Sequence, residues 1–197
     1  MRVIAGKYRG RRVDRLDSDS VRPTLDRVKE SLFSILTPRI VGTRVVDLFA
    51  GSGSLGIESL SRGACFAMFI DMQKECIEQI VKNIESLSIP REEYGYREAT
   101  AKTAVSLLRR DGAKFDLVFV DPPYGQELVP QTLELLADGS LLNPGAWIVA
   151  EHHKKEPVPE TCGELVLFRK KDYGDVAITF YCLKKDKMLQ GPVKTEE

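Results

Sequence analysis

Asp121, Pro122, Pro123 and Tyr124 close an apolar run, Phe115 to Val120, with the composition of a buried strand. An acid and an aromatic ring on a stiff Pro-Pro turn at a strand end can grip a planar base that carries an amine. The Tyr124 ring offers a π face, while the Asp121 carboxylate and the backbone carbonyl of the turn accept hydrogen bonds from an exocyclic NH2. Taken alone the tetrapeptide is equally a plain turn, so its weight depends on a second motif upstream.

That motif is Asp47-Leu48-Phe49-Ala50-Gly51-Ser52-Gly53-Ser54-Leu55-Gly56, placed where a candidate strand passes into a candidate helix. Glycines at 51, 53 and 56 allow a sharp turn, close approach of a ligand and close packing of helix on strand. Twenty residues past Gly51 comes Asp71, at the tip of the next strand, where an acid accepts hydrogen bonds from both ribose hydroxyls. Two cofactors compete for this arrangement. A dinucleotide would set its pyrophosphate at the helix N-terminus, where Asp47 repels it. S-adenosylmethionine carries no phosphate but has a cationic amino group and a sulfonium, which an acid beside the loop suits. Charge favours the methyl donor, although an Asp47 that only braces the loop amides is compatible with either.

The elements that must position these residues alternate. After a short β-compatible opening, Arg2 to Val13, read as a small hairpin or extended arm, Thr24 is placed as the N-cap of a helix. Leu25, Val28, Leu32, Ile35 and Leu36 form its apolar stripe and Pro38 ends it. Strands are expected at 43–49, 64–71, 94–99, 114–121 and 146–151, and helices at 54–62, 73–87, 102–110 and 126–137. Such alternation with continuous apolar strands implies a parallel sheet covered on both faces. The end breaks the rhythm: residues 164–169 and 176–183 are β-rich runs joined by a loop at 170–175, an antiparallel hairpin at the sheet edge. The polar residues after Leu183 read as a frayed tail. The domain division is therefore a basic arm (1–20), one catalytic domain (21–183) and a tail (184–197).

At 197 residues and 43% hydrophobic content the chain suits one compact domain. Its 29 basic and 29 acidic side chains cancel, so net charge does not announce a nucleic-acid partner. Distribution does more: Arg2, Lys7, Arg9, Arg11, Arg12 and Arg15 face a single acid, Asp14, within the first fifteen residues. The four cysteines, Cys65, Cys76, Cys162 and Cys182, are widely spaced and read as reduced thiols. With His152 and His153 the only histidines, no metal site is expected. The pair is read as a polar strand end, not a catalytic base. No apolar stretch reaches bilayer length, so a soluble, cytoplasmic protein is expected.

With both motifs in hand, the chain resembles the class I S-adenosylmethionine-dependent methyltransferases, and more closely the RsmD family of bacterial 16S ribosomal RNA guanine-N2 methyltransferases. The resemblance runs from Met1 to about Leu183 and rests on an ordered set: MRVIAGKYRGRRV, RPTLDRVKESLFSIL (Arg22 to Leu36), DLFAGSGSLGIE (Asp47 to Glu58) and DPPY (Asp121 to Tyr124). It implies a Rossmann-like α/β fold, a seven-stranded, mostly parallel sheet with an antiparallel last strand, preceded by a small β-hairpin arm. It also implies S-adenosylmethionine as cofactor and S-adenosylhomocysteine as product. Asp47 and the backbone of Gly51, Ser52 and Gly53 would then hold the methionine and adenosine portions and Asp71 the ribose, with Phe49, Ala50, Gly56 and Met72 also among the cofactor-binding residues. Thr100 and Ala101 fall where the family often has Asp or Asn before Ala at the adenine amine; Glu98 is the alternative there. Asp121, Pro122, Pro123 and Tyr124 would receive the base.

The implied reaction moves a methyl group to the N2 amine of a guanine in 16S rRNA, free or within an assembling 30S particle, by a monomeric enzyme. Because the amine lone pair is delocalised into the ring, rate must come from in-line alignment and from acceptors at the nitrogen, here Asp121 and the Pro122 carbonyl. RNA contacts are expected from Arg2, Lys7, Tyr8, Arg9, Arg11, Arg12 and Arg22, with Lys170, Lys171 and Tyr173 as a further candidate group. Rival readings are a DNA adenine-N6 or cytosine-N4 methyltransferase, a dinucleotide-dependent oxidoreductase, and a non-catalytic RNA-binding assembly factor.

Overall fold

The computed structural model describes residues 1–16, 23–190 and 194–196, without the side chains of 23–26, 188–190 and 194–196. Two compact units make up the chain, Met1–Thr100 and Ala101–Glu197.

The first unit opens with a hairpin held by Val3 N–H to Arg11 O (3.0 Å), Gly10 N–H to Val3 O (2.9 Å) and Val13 N–H to Met1 O (3.0 Å). Val3, Tyr8 and Val13 are buried on its inner side. The opening segment is therefore a packed part of this unit rather than an extended arm. Helix α1 (Pro23–Leu36) follows. It starts at Pro23, one residue before the Thr24 expected to cap it, because a proline ring fixes the φ of a first helical residue and lacks only an N–H that would be unbonded there. Val28, Leu32, Phe33 and Leu36 form its buried stripe.

Strands β1 (Arg44–Asp47), β2 (Phe66–Asp71) and β3 (Tyr94–Glu98) are parallel, with β2 in the middle. Helix α2 (Ser54–Ser61) connects β1 to β2, and α3 (Lys74–Leu87) connects β2 to β3. The α3 stripe buries Cys76, Ile77, Ile80, Ile84 and Leu87, and with them Asn83.

The second unit continues with α4 (Ala101–Arg110), β4 (Phe115–Val120), α5 (Leu128–Leu136) and β5 (Leu142–His153). It then adds β6 (Thr161–Cys162), β7 (Leu165–Tyr173), β8 (Val176–Leu183) and β9 (Lys194–Glu196). β4 and β5 are parallel; β8 is antiparallel to both β5 and β7, β6 is antiparallel to β7, and β9 runs parallel to it. The core here is Phe119, Ile148, Ile178, Phe180 and Tyr181, with Trp147 packed on Phe168 at 4.9 Å between ring centroids.

The α/β architecture with an antiparallel C-terminal hairpin is as expected, with three differences of detail. The described strands number nine rather than seven, the additions being the short β6 and β9. The expected loop at 170–175 is mostly strand: Lys170, Lys171 and Tyr173 pair with Thr179, Ile178 and Val176, since a tight turn at Gly174 and Asp175 suffices to reverse a hairpin. The tail, expected to fray, forms a 3-10 segment (Lys184–Gln190) and then β9, because the edge of β7 offers backbone partners. Among the described residues no helix is long and apolar enough to cross a membrane.

Candidate active site

In the first unit the glycine motif leaves the end of β1 and enters α2. Gly51 and Gly53 have φ of 50° and 82°, values that favour residues without a Cβ. Added at Gly51, a Cβ would meet nothing within 4 Å, so this turn presents bare backbone on an open side. Gly56 serves differently. There a Cβ would lie 2.3 Å from the Phe69 ring of β2, and the missing side chain is what lets α2 lie against the strand. Ala50 N–H bonds the Ile70 carbonyl at 2.8 Å and Gly53 N–H bonds Ala50 O at 2.7 Å, fixing the turn.

Two acids frame it. Asp71 Oδ2 accepts from Gly51 N–H (2.8 Å) and Oδ1 from Gln73 N–H (2.9 Å), which ties the tip of β2 to the loop and still leaves acceptor positions on the carboxylate. Asp47 is almost fully enclosed and accepts from Phe49 N–H at 3.4 Å. Burial pushes its carboxyl up from 3.8 to about 7; the Phe49 and Gly56 amides hold it down, and the nearby Asp71 charge pushes it further up. A buried carboxyl with that pKa is stabilised by a cationic partner and opposed by a phosphate. The donor set therefore fits a cofactor with an ammonium and a sulfonium.

The other residues assigned to the cofactor differ in exposure. Phe49 is half-buried, Ser52 is buried and its carbonyl accepts from Asn83 Nδ2, and Met72 is 68% exposed beside Asp71. Glu98 is the register partner of Asp71, and Ala99 N–H bonds the Asp71 carbonyl (2.9 Å). Glu98 and Thr100 are both exposed, and Ala101 begins α4.

In the second unit the Asp-Pro-Pro-Tyr turn leaves the end of β4. Pro122 is buried, Asp121 half-buried, and Pro123 and Tyr124 are exposed. The Tyr124 hydroxyl donates to Glu151 Oε1 at 2.7 Å, and its ring meets His153 edge-on at 6.5 Å. Glu156 holds the far side, accepting from Gly125 N–H (2.7 Å) and His153 N–H (3.0 Å). A fixed, half-open aromatic face beside a carboxyl suits a flat, amine-bearing ring. His152 is sealed in the core, with Nε2 2.8 Å from Thr179 Oγ1; burial pushes its imidazole down, towards the neutral form.

The N-terminal hairpin presents Arg2, Lys7, Arg9, Arg11 and Arg12 to solvent. Several are steadied: Arg2 by Gly10 O (2.7 Å), Arg11 by Ser86 O (2.7 Å), Lys7 by Glu93 (3.7 Å) and Arg12 by Asp14. Tyr8 must be withdrawn from the RNA contacts. The residue is only 6% exposed, because the turn that carries it is pinned to α2 by Lys7 N–H to Ser61 O (2.7 Å) and Tyr8 N–H to Ser61 Oγ (3.0 Å), and it offers no face for a base. Arg22 lies outside the described residues.

Three residues of consequence were assigned no role by the motif reading. Glu58 is fully buried, where it pairs with Lys29 (3.3 Å) and Arg62 (2.8 Å) and accepts from the Ile4 (2.9 Å) and Ala5 (3.1 Å) amides, fastening the hairpin to α1 and α2. Asn83 joins the Ser52 carbonyl (3.0 Å) to the Asp14 carbonyl and amide (both 2.9 Å), so the glycine loop and the hairpin share one brace. A polar residue on the apolar stripe of α3 was its signal. Glu151 had none beyond its place at a strand end.

This fold recurs in solved structures. The Escherichia coli protein yhhF aligns with a TM-score of 0.79 and 37% identity, covering 92% of this chain and 96% of that one. SMU.776, solved in complex with SAH, aligns at a TM-score of 0.66 over 82% of this chain and 50% of that one, with 13% identity, a likeness of fold alone. Fold and loops together define a class I S-adenosylmethionine-dependent methyltransferase. Among curated proteins, the Ribosomal RNA small subunit methyltransferase D of Escherichia coli is 38% identical over 181 residues, 92% of this chain and 89% of that protein. The family model described as Conserved hypothetical protein 95 matches residues 1–182, and the chain belongs to that family, the RsmD family its motifs resemble.

Proposed function

We propose that this enzyme transfers a methyl group from S-adenosylmethionine to the N2 amine of a guanine in 16S rRNA. The observation that carries the donor side is Asp47, a buried carboxyl under an open glycine turn, which favours a cationic cofactor over a phosphate-bearing one. Asp47 and the 49–53 backbone hold the methionine and adenosine portions. Asp71 and Met72 flank the ribose, and Thr100 or Glu98 meets the adenine amine, with Ala101 beside it. When bound, the cofactor supplies an electrophilic methyl on its sulfonium.

The protein's own part is alignment and charge. Asp121 and the Pro122 carbonyl accept hydrogen bonds from the amine and favour the charge that develops on nitrogen, Pro123 stiffens the turn, and Tyr124 stacks on the base. Such stacking contributes about 1–3 kcal/mol. The base must leave its own stack to reach this corner, at a cost of a few kcal/mol that is least in a loop. Phosphate contacts from Arg2, Lys7, Arg9, Arg11 and Arg12 offset that cost. The protein acts as a monomer in the cytoplasm, on 16S rRNA free or in an assembling 30S particle.

Mapping of N2-methylguanine on small-subunit RNA from cells with and without the protein tests the reaction, and should show one guanine that loses its methyl group when the protein is missing. In vitro, Asp121→Ala is expected to lower kcat by about a hundredfold or more while RNA affinity holds. Transfer at the wild-type rate would refute the assignment of Asp121. No transfer by the wild-type protein, with RNA still bound, would favour a non-catalytic assembly factor.

A further inference from the structure

The base-binding corner has a second carboxyl within its reach. Glu151 follows Ala150, the register partner of Val120, so it stands on β5 level with Asp121, which follows the last residue of the adjacent, parallel β4. Its Oε1 accepts from the Tyr124 hydroxyl at 2.7 Å, the one hydrogen bond its carboxylate makes among the described residues. An ionised carboxylate has about four acceptor positions, so most of its capacity is open. The surrounding polar groups are committed elsewhere: Glu156 to the Gly125 and His153 amides, and His152 to Thr179. On the β8 side Glu151 is paired with Ile178, which competes for none of its lone pairs.

Guanine differs from the other amine-bearing bases on the edge that would meet this carboxyl. Beside its N2 amine it carries N1–H, a second donor, whereas adenine and cytosine carry a ring-nitrogen lone pair next to theirs. One carboxylate can hold an amine of any of the three. A second carboxylate alongside favours adjacent donors and repels a lone pair. We propose that Glu151 selects guanine, its carboxylate accepting the N1–H of the base whose N2 amine is held at Asp121, while the same side chain fixes the stacking ring of Tyr124. Burial raises the Glu151 carboxyl and the Tyr124 bond holds it down, as befits an acid waiting in a partly dry site for donors. The assignment rests on the guanine-N2 reading and adds its specificity-determining group.

The test uses the RNA on which the wild-type enzyme forms N2-methylguanine, and a copy with 2-aminopurine at that position. 2-Aminopurine keeps the amine on C2 but has a lone pair at N1. A site built to hydrogen-bond a substrate group rejects an analogue without it. Wild-type kcat/KM should therefore favour guanine by about tenfold or more, the scale of one hydrogen bond to a charged acceptor. Glu151→Gln should narrow that ratio by a similar factor, because the Gln amide can donate to the lone pair. Tyr124→Phe, which removes the bond to Glu151 but keeps the ring, should slow both RNAs and leave the ratio unchanged.

Equal rates on the two RNAs with the wild-type enzyme would overturn the proposal without recourse to any variant. So would a Glu151→Gln enzyme that binds S-adenosylmethionine normally and loses activity on both RNAs alike, which is the signature of a residue that only steadies Tyr124. If the wild-type enzyme formed no N2-methylguanine on any small-subunit RNA, the underlying reading would fall, and this assignment with it.

Discussion

On the proposed assignment, Asp47 couples the cofactor site to pH. Its folded carboxyl is raised from 3.8 to about 7, so the folded protein holds a proton that the unfolded chain has given up. The contribution of Asp47 to stability is accordingly complete below about pH 4 and is lost as pH climbs to about 7. Binding of a cation favours the ionised form and expels that proton, so affinity for S-adenosylmethionine should rise with pH up to about 7. Asp47→Asn keeps an acceptor for the Phe49 amide and removes the charge. Calorimetric titration between about pH 5 and pH 8 should then show affinity weakened by about tenfold or more and flat with pH, and unfolding curves should show the variant gaining on the wild type as pH rises. A variant whose affinity keeps the wild-type slope would remove Asp47 from the cation site.

At the scale of elements, the contact between α2 and β2 sets where the glycine turn points. Gly56→Ala places a methyl 2.3 Å from Phe69 Cε1, and Phe69 is fully buried. The better helix propensity of alanine, about 1 kcal/mol, is outweighed by overpacking, so a net loss of about 1–3 kcal/mol is expected in chemical unfolding. Adding Phe69→Leu should recover part of it, and if the pair of changes were simply additive the ring would not be the obstacle. The apolar stripes of α1 and α3 and the glycine spacing made these elements and the glycine turn legible in the sequence, because periodicity and backbone freedom are local properties. Glu58, Asn83 and Glu151 were not legible in that way, since each owes its role to partners distant in sequence: Ile4 for Glu58, Asp14 for Asn83, Tyr124 for Glu151. The pairing of Lys170, Lys171 and Tyr173 was missed for a related reason, as a polar stretch joins a ladder when β8 offers partners for it. Tyr8 misled because an aromatic among arginines has the composition of an RNA contact, whereas the docking of its turn on Ser61, distant in sequence, decides which way it faces.

The molecule as a whole has no net charge, and its interaction with RNA depends on how that charge is divided. Changing Arg9, Arg11 and Arg12 together to Glu should weaken RNA binding and flatten its dependence on salt, by a slope of roughly 0.7–0.9 per lost phosphate contact, with cofactor affinity unchanged. Filter binding over a range of salt concentrations measures the first and calorimetry the second; an unaltered slope would show that these side chains meet no phosphate. The hairpin that carries these cations is itself fastened by Glu58, Lys29 and Arg62, at 0%, 7% and 12% side-chain exposure. Two populations of charge thus lie on the two sides of one ribbon, one wet and one dry, and mobile ions reach only the first. Where the outer cations meet RNA phosphate as proposed, electrolyte would act as a release valve, detaching the methylated product from the outer side while the anchored inner side keeps the ribbon in place for the next round.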